Sequence, residues 1–248
     1  MSPSLDTREQ REFAAEIKFL VAPELAEQIR AWARGRLMAD PHASGDGHDG
    51  YSITSLYFDT GALDVFHRRG SFGRSKYRIR RYGASETAFL ERKLRTRGLL
   101  AKRRSKIALD ALGRLAGTAP EHGWPGFWFH RRARLRQLEP VCQIAYQRTA
   151  RVALTPNGPI RLTLDDQLRA QPARGLGFHE QPGTLLAADR VILEMKFRRE
   201  MPILFKYLVA EFALNPQPFS KYRFAMDALD LVPPSVTDAP ASGTLHYA

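Results

Sequence analysis

The sequence predicts an α+β fold, in which a closed antiparallel β-barrel of about eight strands forms a basic tunnel flanked by several helices. Three observations support this prediction. Strand-like segments of alternating apolar and polar residues recur at spacings that antiparallel connections allow. Segments with helical periodicity lie between them and can cover the barrel from outside. Nearly every strand-like segment also carries Lys or Arg on one of its two faces.

The chain has 248 residues, enough for one domain with its own hydrophobic core, and we assign that domain to residues 11–231. The polar segments 1–10 and 232–248 are expected to be flexible tails. The single cysteine, Cys142, excludes an internal disulfide framework, and no stretch has the apolar character of a signal peptide or a membrane span. We therefore expect a soluble, cytoplasmic protein.

The charge balance predicts an anionic partner. Lys and Arg number 38 against 26 Asp and Glu, which gives a formal net charge of +12. Such an excess is typical of proteins that bind nucleic acid, phosphorylated metabolites or a membrane surface, although an ordinary Arg-rich protein has the same composition. The position of the charges within the strands distinguishes these classes better than their total does.

The helices and strands are predicted in chain order from their periodicity. A helix begins at Pro23, which is favoured at a first helical position, and Thr60 can cap a short helix that ends near His67. Further helices are predicted over 106–116, 125–138, 202–213 and about 221–229, and loops over 39–50 and 171–183. Strands are predicted over 12–21, 51–58, 74–82, 87–97, 143–153, 159–169 and 189–198, with a short strand near 100–104.

The alternation of side chains along these strands gathers the charges on one face. In segment 74–82, Lys76, Arg78 and Arg80 share the face opposite Tyr77 and Ile79. An ordinary sheet with one wet face would explain any single strand, but it explains less well a Lys or Arg in nearly all of them. If the helices cover the apolar face, the charged face lines the lumen. The same alternation is seen for Glu16 and Lys18; for Glu91, Lys93 and Arg95; for Tyr146 and Arg148; for Arg161, Thr163 and Asp165; and for Glu194 and Lys196.

A lumen of this kind predicts a phosphate site. Convergent cations in a confined space need an anion, and phosphate oxygens accept hydrogen bonds from Arg forks and Lys ammonium groups. The carboxylates Glu16, Glu91 and Glu194 on the same face have two interpretations. They are either ligands of Mg²⁺ or Mn²⁺, or ion-pair partners that hold the arginine side chains.

Nine segments of the chain resemble a known family in the order of that family. They are EIKFLV, SITSLYFDT, KYRIRRYG, FLERKLR, KRRSK, AYQRTA, RLTLDDQLRA, ILEMKF and FSKYRFAMDAL. Together they resemble the VTC domain, the catalytic domain of the vacuolar transporter chaperone polyphosphate polymerase, within the triphosphate tunnel metalloenzyme (CYTH-like) superfamily. The resemblance covers about residues 11–230.

The resemblance implies roles for individual residues. It implies that Glu194 holds a divalent metal, Mn²⁺ or Mg²⁺, with Glu16 and Glu91 as further candidate ligands. Tyr146, Ser220 and Lys196 are additional candidates for binding phosphate. Lys102 to Lys106 form a basic loop, either at a tunnel mouth or as a solvated charge run. The residues implied to bind the phosphate chain and to act in catalysis are Lys18, Arg78, Arg80, Lys93, Arg148, Arg161 and Lys221.

One departure from the superfamily pattern bears on the reaction. Related triphosphatases begin with ExExK, and the matching positions here are Ala14, Glu16 and Lys18. The missing first acid favours transfer of the γ-phosphate of a nucleoside triphosphate, ATP being the expected donor, to a growing polyphosphate chain. The alternatives are an inorganic triphosphatase or nucleoside triphosphatase, and a polyphosphate-binding module without turnover. Nucleic acid is not expected as a partner.

Overall fold

The computed structural model describes residues 6–9, 15–40, 49–96, 99–181, 183–198 and 200–233. The helices of this part are α1 (Pro23–Arg34), α2 (Asp64–His67), α3 (Phe127–Leu135), α4 (Ile203–Glu211) and α5 (Lys221–Ala228), with 3₁₀ helices at Gly70–Arg74 and Asp110–Ala116. The strands are β1 (Asp6–Glu9), β2 (Ala15–Val21), β3 (Met38–Ala39), β4 (Gly50–Asp59), β5 (Ser75–Tyr82), β6 (Thr87–Thr96), β7 (Leu99–Ala108), β8 (Glu139–Thr155), β9 (Gly158–Pro172), β10 (Thr184–Leu185) and β11 (Val191–Phe197). None of these helices is long and apolar enough to cross a membrane.

The described strands form one antiparallel sheet that is not closed into a barrel. Its order is β1-β7-β6-β5-β4-β8-β9-β11-β2, with β3 added to β8 and β10 added to β9. The predicted barrel closure is therefore wrong, because β1 and β2 end the ladder without pairing to each other. On β2 the backbone carbonyl of Lys18 instead accepts a hydrogen bond from the N–H of Gln217, at 2.8 Å.

The sheet nevertheless curls back on itself, so that side chains of β6 and of the edge strand β2 come into contact. Six inter-strand steps separate β6 from β2, which would be about 29 Å in a flat sheet. Yet Lys93 Nζ on β6 lies 2.7 Å from Glu16 Oε2 on β2, a contact that side chains make only if the sheet bends back on itself. The connection between β1 and β2 also requires a curled sheet. These strands stand at opposite ends of the strand order, yet Glu9 and Ala15 are six residues apart in the chain and so within about 21 Å of each other.

The apolar side chains lie on the outer face of this curled sheet, under the helices. One cluster packs α1 and α4 against β2, β9 and β11, with Ile29, Leu162 and Phe205 fully buried. A second packs α3 and α5 on the other half, around Tyr77, Phe129 and their neighbours. Helices α1, α3 and α4 therefore cover the convex face, as the sequence predicted. Helix α5 instead begins beside the concave face, where Lys221 reaches Asp165 and the N-cap Ser220 accepts a hydrogen bond from Lys76.

Three segments differ from the sequence-based prediction. Lys102 to Lys106 lie in the ten-residue strand β7 rather than in a loop, because β7 pairs along its whole length with β6. This strand also takes the first residues of the predicted helix 106–116, which is a 3₁₀ helix over Asp110–Ala116. In the expected N-terminal tail, Asp6–Glu9 form β1 against β7.

Candidate functional site

The strand registers bring the predicted cations together on the concave face, which we call the basic face. Directly paired positions carry the charges from strand to strand: Arg104 with Glu91 and Glu91 with Arg78, and farther along Lys196 with Arg161. Lys221 and Ser220 reach the same face from α5. The cations that the registers and contacts assign to it are Lys18, Lys76, Arg78, Arg80, Lys93, Lys102, Arg104, Lys106, Arg148, Arg161, Lys196 and Lys221. Its carboxylates are Glu16, Asp40, Glu91, Asp165 and Glu194.

One buried acid, Glu91, is surrounded by cations. Arg78 Nε donates a hydrogen bond to Glu91 Oε2 at 2.7 Å, and Arg104 Nε and Lys102 Nζ lie 3.3 and 3.5 Å from Oε1. Burial raises the pKa of the Glu91 carboxyl, but Arg78, Arg80 and the other two cations lower it far below its usual range. Glu91 is thus an ionised ion-pair partner that fixes Arg78. Its partners differ from those of Glu16 and Glu194, and its predicted role as a further metal ligand stays a prediction.

A second buried acid, Asp165, orients two cations from different elements. Arg148 on β8 forms a bidentate pair with it, at 2.6 and 2.7 Å, and Lys221 Nζ at the start of α5 lies 2.5 Å from Oδ2. Burial raises the pKa of Asp165, but Arg148 and Lys221 lower it to about 2. Strand alternation placed Asp165 on this face, but the sequence did not show that it would pair with Arg148 and Lys221.

Arg80 and Arg161 donate hydrogen bonds to hydroxyl groups. Arg80 donates to Ser55 Oγ at 3.2 Å and to the hydroxyl of Tyr146 at 3.0 Å. Arg161 donates to the hydroxyl of Tyr51 at 2.9 Å, and its guanidinium also lies 2.9 Å from Asp40 Oδ2. The neutral partners of Arg80 leave its guanidinium able to turn to a stronger acceptor, whereas Arg161 already has a carboxylate partner in Asp40. The sequence analysis did not single out Tyr51 and Ser55, although the alternation within strand 51–58 places them on one face.

Two carboxylates lie together where the curled sheet meets itself. Lys18 Nζ lies 2.9 Å from Glu16 and 3.6 Å from Glu194, and Lys196 Nζ lies 2.6 Å from Glu194. Burial and the neighbouring Glu194 raise the pKa of Glu16, but Lys93, Lys196 and Lys18 lower it to about 2. Burial likewise raises the pKa of Glu194, and Lys196 and Lys18 lower it well below its usual value. Both side chains are therefore ionised near neutral pH.

This acid pair fits a hard divalent cation. Thr163 lies directly opposite Glu194 in the ladder, and its buried Oγ1 has no hydrogen-bond partner in the described structure. Two carboxylates and a free hydroxyl oxygen suit Mg²⁺ or Mn²⁺, which retains waters and takes its remaining ligands from substrate phosphates. No three His, Cys, Asp or Glu side chains converge within the described ranges, so the protein offers a partial ligand set. Ala14, the position of the missing acid, lies outside those ranges.

Three lysines form a row across β5, β6 and β7. Lys76 lies directly opposite Lys93, which lies directly opposite Lys102. Lys93 pairs with Glu16 and Lys102 with Glu91, whereas Lys76 Nζ donates to Ser220 Oγ at 2.9 Å. Burial and four cations, Lys18 first among them, lower the pKa of Lys76 to about 7. The sequence placed Lys76 on this face but gave it no role.

The chain was compared with known proteins by sequence and by structure. The family model described as the VTC domain matches residues 13–230. No curated protein is significantly similar in sequence. Among solved structures, a proposed adenylate cyclase from Bacillus halodurans is similar at 16% identity and a TM-score of 0.53, covering 85% of this chain and 95% of that one. A proposed adenylyl cyclase from Hippeastrum, described as having a dominant triphosphatase activity, has 16% identity and a TM-score of 0.47, covering 86% and 95%.

At such identities the Bacillus structure supports the fold alone, and it agrees with the curled sheet described above. The family model is stronger evidence because it spans nearly the whole described chain. The matched residues include Glu16, Glu91, Asp165, Glu194 and helix α5. The chain therefore belongs to the VTC domain family.

Proposed function

We propose that this chain is a metal-dependent phosphotransferase that extends a polyphosphate chain with the γ-phosphoryl group of a nucleoside triphosphate, ATP being the expected donor. The observation that carries the proposal is the excess of cations over carboxylates on one concave, partly buried face. Like charges held this close need an anion to offset their repulsion. A linear chain of phosphates supplies many oxygens at regular spacing along such a face.

The chemistry asks for alignment and charge stabilisation rather than a protein nucleophile. A terminal oxygen of the chain attacks the γ-phosphorus, the bond to the bridging β–γ oxygen breaks, and the nucleoside diphosphate leaves with the electron pair. Arg78, Arg80, Arg148 and Lys221 would hold the two phosphate groups in line and offset the charge on the transferred group. Glu16, Glu194 and Thr163 would hold a divalent cation that offsets charge on the donor triphosphate.

Cys142 does not serve as a nucleophile in this scheme. Its side chain is fully buried and belongs to the apolar cluster under α3 and α5. Burial raises the pKa of the thiol to about 12, so the thiolate is scarce near neutral pH.

The electrostatics favour chain transfer over hydrolysis. A water molecule needs a base to become a good nucleophile, whereas the end of a polyphosphate chain is already an anion. The pKa values of Glu16, Glu91, Asp165 and Glu194 are all lowered by neighbouring cations, which makes these carboxylates weak bases. Substitution of the first ExExK acid by Ala14 removes another candidate base.

Incubation of the purified protein with ATP and Mn²⁺ tests the proposal. A ladder of polyphosphate on a polyacrylamide gel is the expected result. Release of orthophosphate without a ladder would identify a triphosphatase instead, and tight polyphosphate binding without turnover would identify a binding module. Competition with DNA of equal charge tests the nature of the anion, since tripolyphosphate should displace a labelled polyphosphate far better.

Arg80→Met is the sharpest probe of the basic face, because the hydrogen-bond partners described for Arg80 are the neutral hydroxyls of Ser55 and Tyr146. Removal of its guanidinium leaves no buried carboxylate without a partner. We expect tripolyphosphate affinity to fall about 10- to 150-fold, as for the loss of one or two charge-assisted hydrogen bonds. Arg131→Met is the matched control, since Arg131 is exposed on α3 outside the sheet. Equal affinities of the two variants would contradict a role for the concave face.

Glu194→Gln tests the cation site by two independent measurements. The substitution keeps the shape of the side chain and removes its charge, so Mn²⁺ affinity measured by titration calorimetry should fall together with activity. The exposed Glu27→Gln on α1 serves as the control. Unchanged Mn²⁺ binding in the Glu194 variant would exclude this residue as a ligand.

A further inference from the structure

Lys76 is the one lysine of the three-lysine row that has no carboxylate partner among the described residues. Lys93 and Lys102 pair with Glu16 and Glu91, but Lys76 Nζ donates only to the hydroxyl of Ser220. Like charges directly opposite each other in an antiparallel pair are destabilising. Lys76 therefore occupies a position where an ammonium group is costly until an anion arrives.

The groups facing Lys76 explain this cost. Lys18 from β2, Arg78 from the same strand, Lys93 from β6 and Arg223 from α5 all disfavour its charged form, in addition to burial. The carboxylates of the adjoining strands have other partners. Glu16 pairs with Lys18 and Lys93, Glu91 pairs with Arg78, and Asp59 at the end of β4 accepts from Tyr222 and from the N–H groups of Thr60, Val65 and Phe66.

The surroundings of Lys76 suit a phosphoryl group. Ser220 is the N-cap of α5, so its hydroxyl lies beside the first N–H groups of the helix, and that of Arg223 donates to it at 3.4 Å. The next residue, Lys221, lies on the basic face, and Lys18 Nζ donates to the carbonyl of Phe219 at 3.2 Å. The ammonium groups of Lys76 and Lys18, the hydroxyl of Ser220 and the N-terminus of α5 thus lie together at the junction between the sheet and α5.

We propose that Lys76 and the hydroxyl of Ser220 form a further phosphate subsite, whose lysine takes up a proton from solvent as the anion binds; this inference rests on the proposed function. Without phosphate, neutral Lys76 avoids repulsion from Lys18, Lys93, Arg78 and Arg223. With phosphate, the ammonium form gains a charge-assisted hydrogen bond and the anion offsets its neighbours. Because the pKa of Lys76 in the free protein is about 7, the uptake of a proton on binding phosphate occurs near neutral pH.

The linkage predicts how affinity depends on pH. A group whose pKa rises on binding favours the complex most at low pH, and the advantage is lost as the pH rises above the pKa of the free protein. For a free pKa of about 7, the titration of Lys76 should make the tripolyphosphate affinity of the wild type fall about 20-fold between pH 7.5 and 9.0 relative to Lys76→Arg, which shares the loss of the ligand's own last proton in this range. Lys76→Arg keeps its charge throughout and should remove most of this fall while retaining binding.

The test measures tripolyphosphate binding by calorimetry in metal-free buffer across this pH range, for the wild type, Lys76→Arg, Lys76→Met and the control Lys206→Met on the exposed side of α4. We expect the Lys206 variant to match the wild type and Lys76→Met to bind weakly at pH 7.5. If the wild type and Lys76→Arg bind with the same pH dependence, the subsite proposal is wrong and the proposed function survives. Absence of tripolyphosphate binding in the wild type, both in metal-free buffer and with added Mn²⁺, would refute both.

Amine labelling gives a readout that does not depend on substituted proteins. A reagent that attacks neutral amines, followed by peptide mass spectrometry, should modify Lys76 at a rate that rises with pH and levels off above about pH 7, because the pKa of Lys76 in the free protein is about 7. Added tripolyphosphate should then protect Lys76. Labelling of Lys76 with the pH profile of an ordinary exposed lysine would overturn the proposal, whatever the binding data show.

Discussion

Replacement of Asp165 by Asn tests how the basic face is held together before any anion binds. The carboxylate is fully buried and accepts two hydrogen bonds from Arg148, at 2.6 and 2.7 Å, and one from Lys221 at 2.5 Å. Asn has nearly the same shape but no charge. The variant therefore leaves two cations, whose side chains are 9% and 11% exposed, without a carboxylate partner.

The expected loss in free energy of unfolding at pH 7 is about 3–5 kcal/mol, the range for removing one partner of a buried ion pair. Part of this loss depends on pH. The pKa of Asp165 falls from 3.8 to about 2 on folding, which corresponds to about 2 kcal/mol. Because the folded-state pKa is the lower one, this contribution is complete above about pH 4 and is lost as the pH falls through about 2.

Urea unfolding followed by tryptophan fluorescence measures both quantities, since Trp32, Trp124 and Trp128 are all buried. The difference in stability between wild type and variant should narrow by about 2 kcal/mol between pH 5 and pH 2. Asp189→Asn is the control, because that acid is 75% exposed and should change stability by less than about 0.5 kcal/mol. A difference below about 1 kcal/mol at pH 7, or one that does not change with pH, would refute this description of the Arg148–Asp165–Lys221 cluster.

Three further results are expected. Thr163→Val should leave stability within about 1 kcal/mol, because the hydroxyl has no partner to lose, while Mn²⁺ affinity measured by calorimetry should fall; an unchanged affinity would remove Thr163 from the cation site. Tyr222→Phe should lower the free energy of unfolding by about 1.5–3 kcal/mol in urea titrations, since its hydroxyl donates to the buried carboxylate of Asp59 at 2.5 Å. Tripolyphosphate affinity should weaken steadily as salt rises from 50 to about 500 mM, and a salt-independent affinity would argue against an electrostatic site.

The sequence predicts the basic face well because that prediction is local. Alternation along a strand follows from backbone geometry, so the shared faces of Lys76, Arg78 and Arg80, or of Glu194 and Lys196, need no knowledge of the rest of the chain. The structure places all of these on the concave side. The outer position of the helices follows from the same alternation, because the opposite faces are apolar.

The features that the sequence does not predict are long-range. The sequence predicts only a short strand near 100–104, and pairing with β6 extends it over Leu99–Ala108, so that it includes the whole basic run 102–106. The contact between Lys93 and Glu16 depends on the curl of the whole sheet, across six strand intervals. Barrel closure fails for a similar reason, since a segment after α4 occupies the carbonyl of Lys18 on the edge strand.

The cations of the basic face differ in the partners that orient them. Arg78 and Arg148 are fixed by buried carboxylates, so their forks are oriented before substrate arrives and little side-chain entropy remains to be lost. Lys76 has only a hydroxyl as its described partner, so its charge responds to the anion itself. Under the proposed function, the fixed arginines would hold phosphate groups in set positions, whereas a titratable lysine beside α5 would make the strength of binding depend on pH. The acids of this face therefore determine which cations are permanently oriented. Arg80 and Lys76 both have only hydroxyl groups as described partners, and of these two Lys76 is the one whose pKa lies near neutral pH.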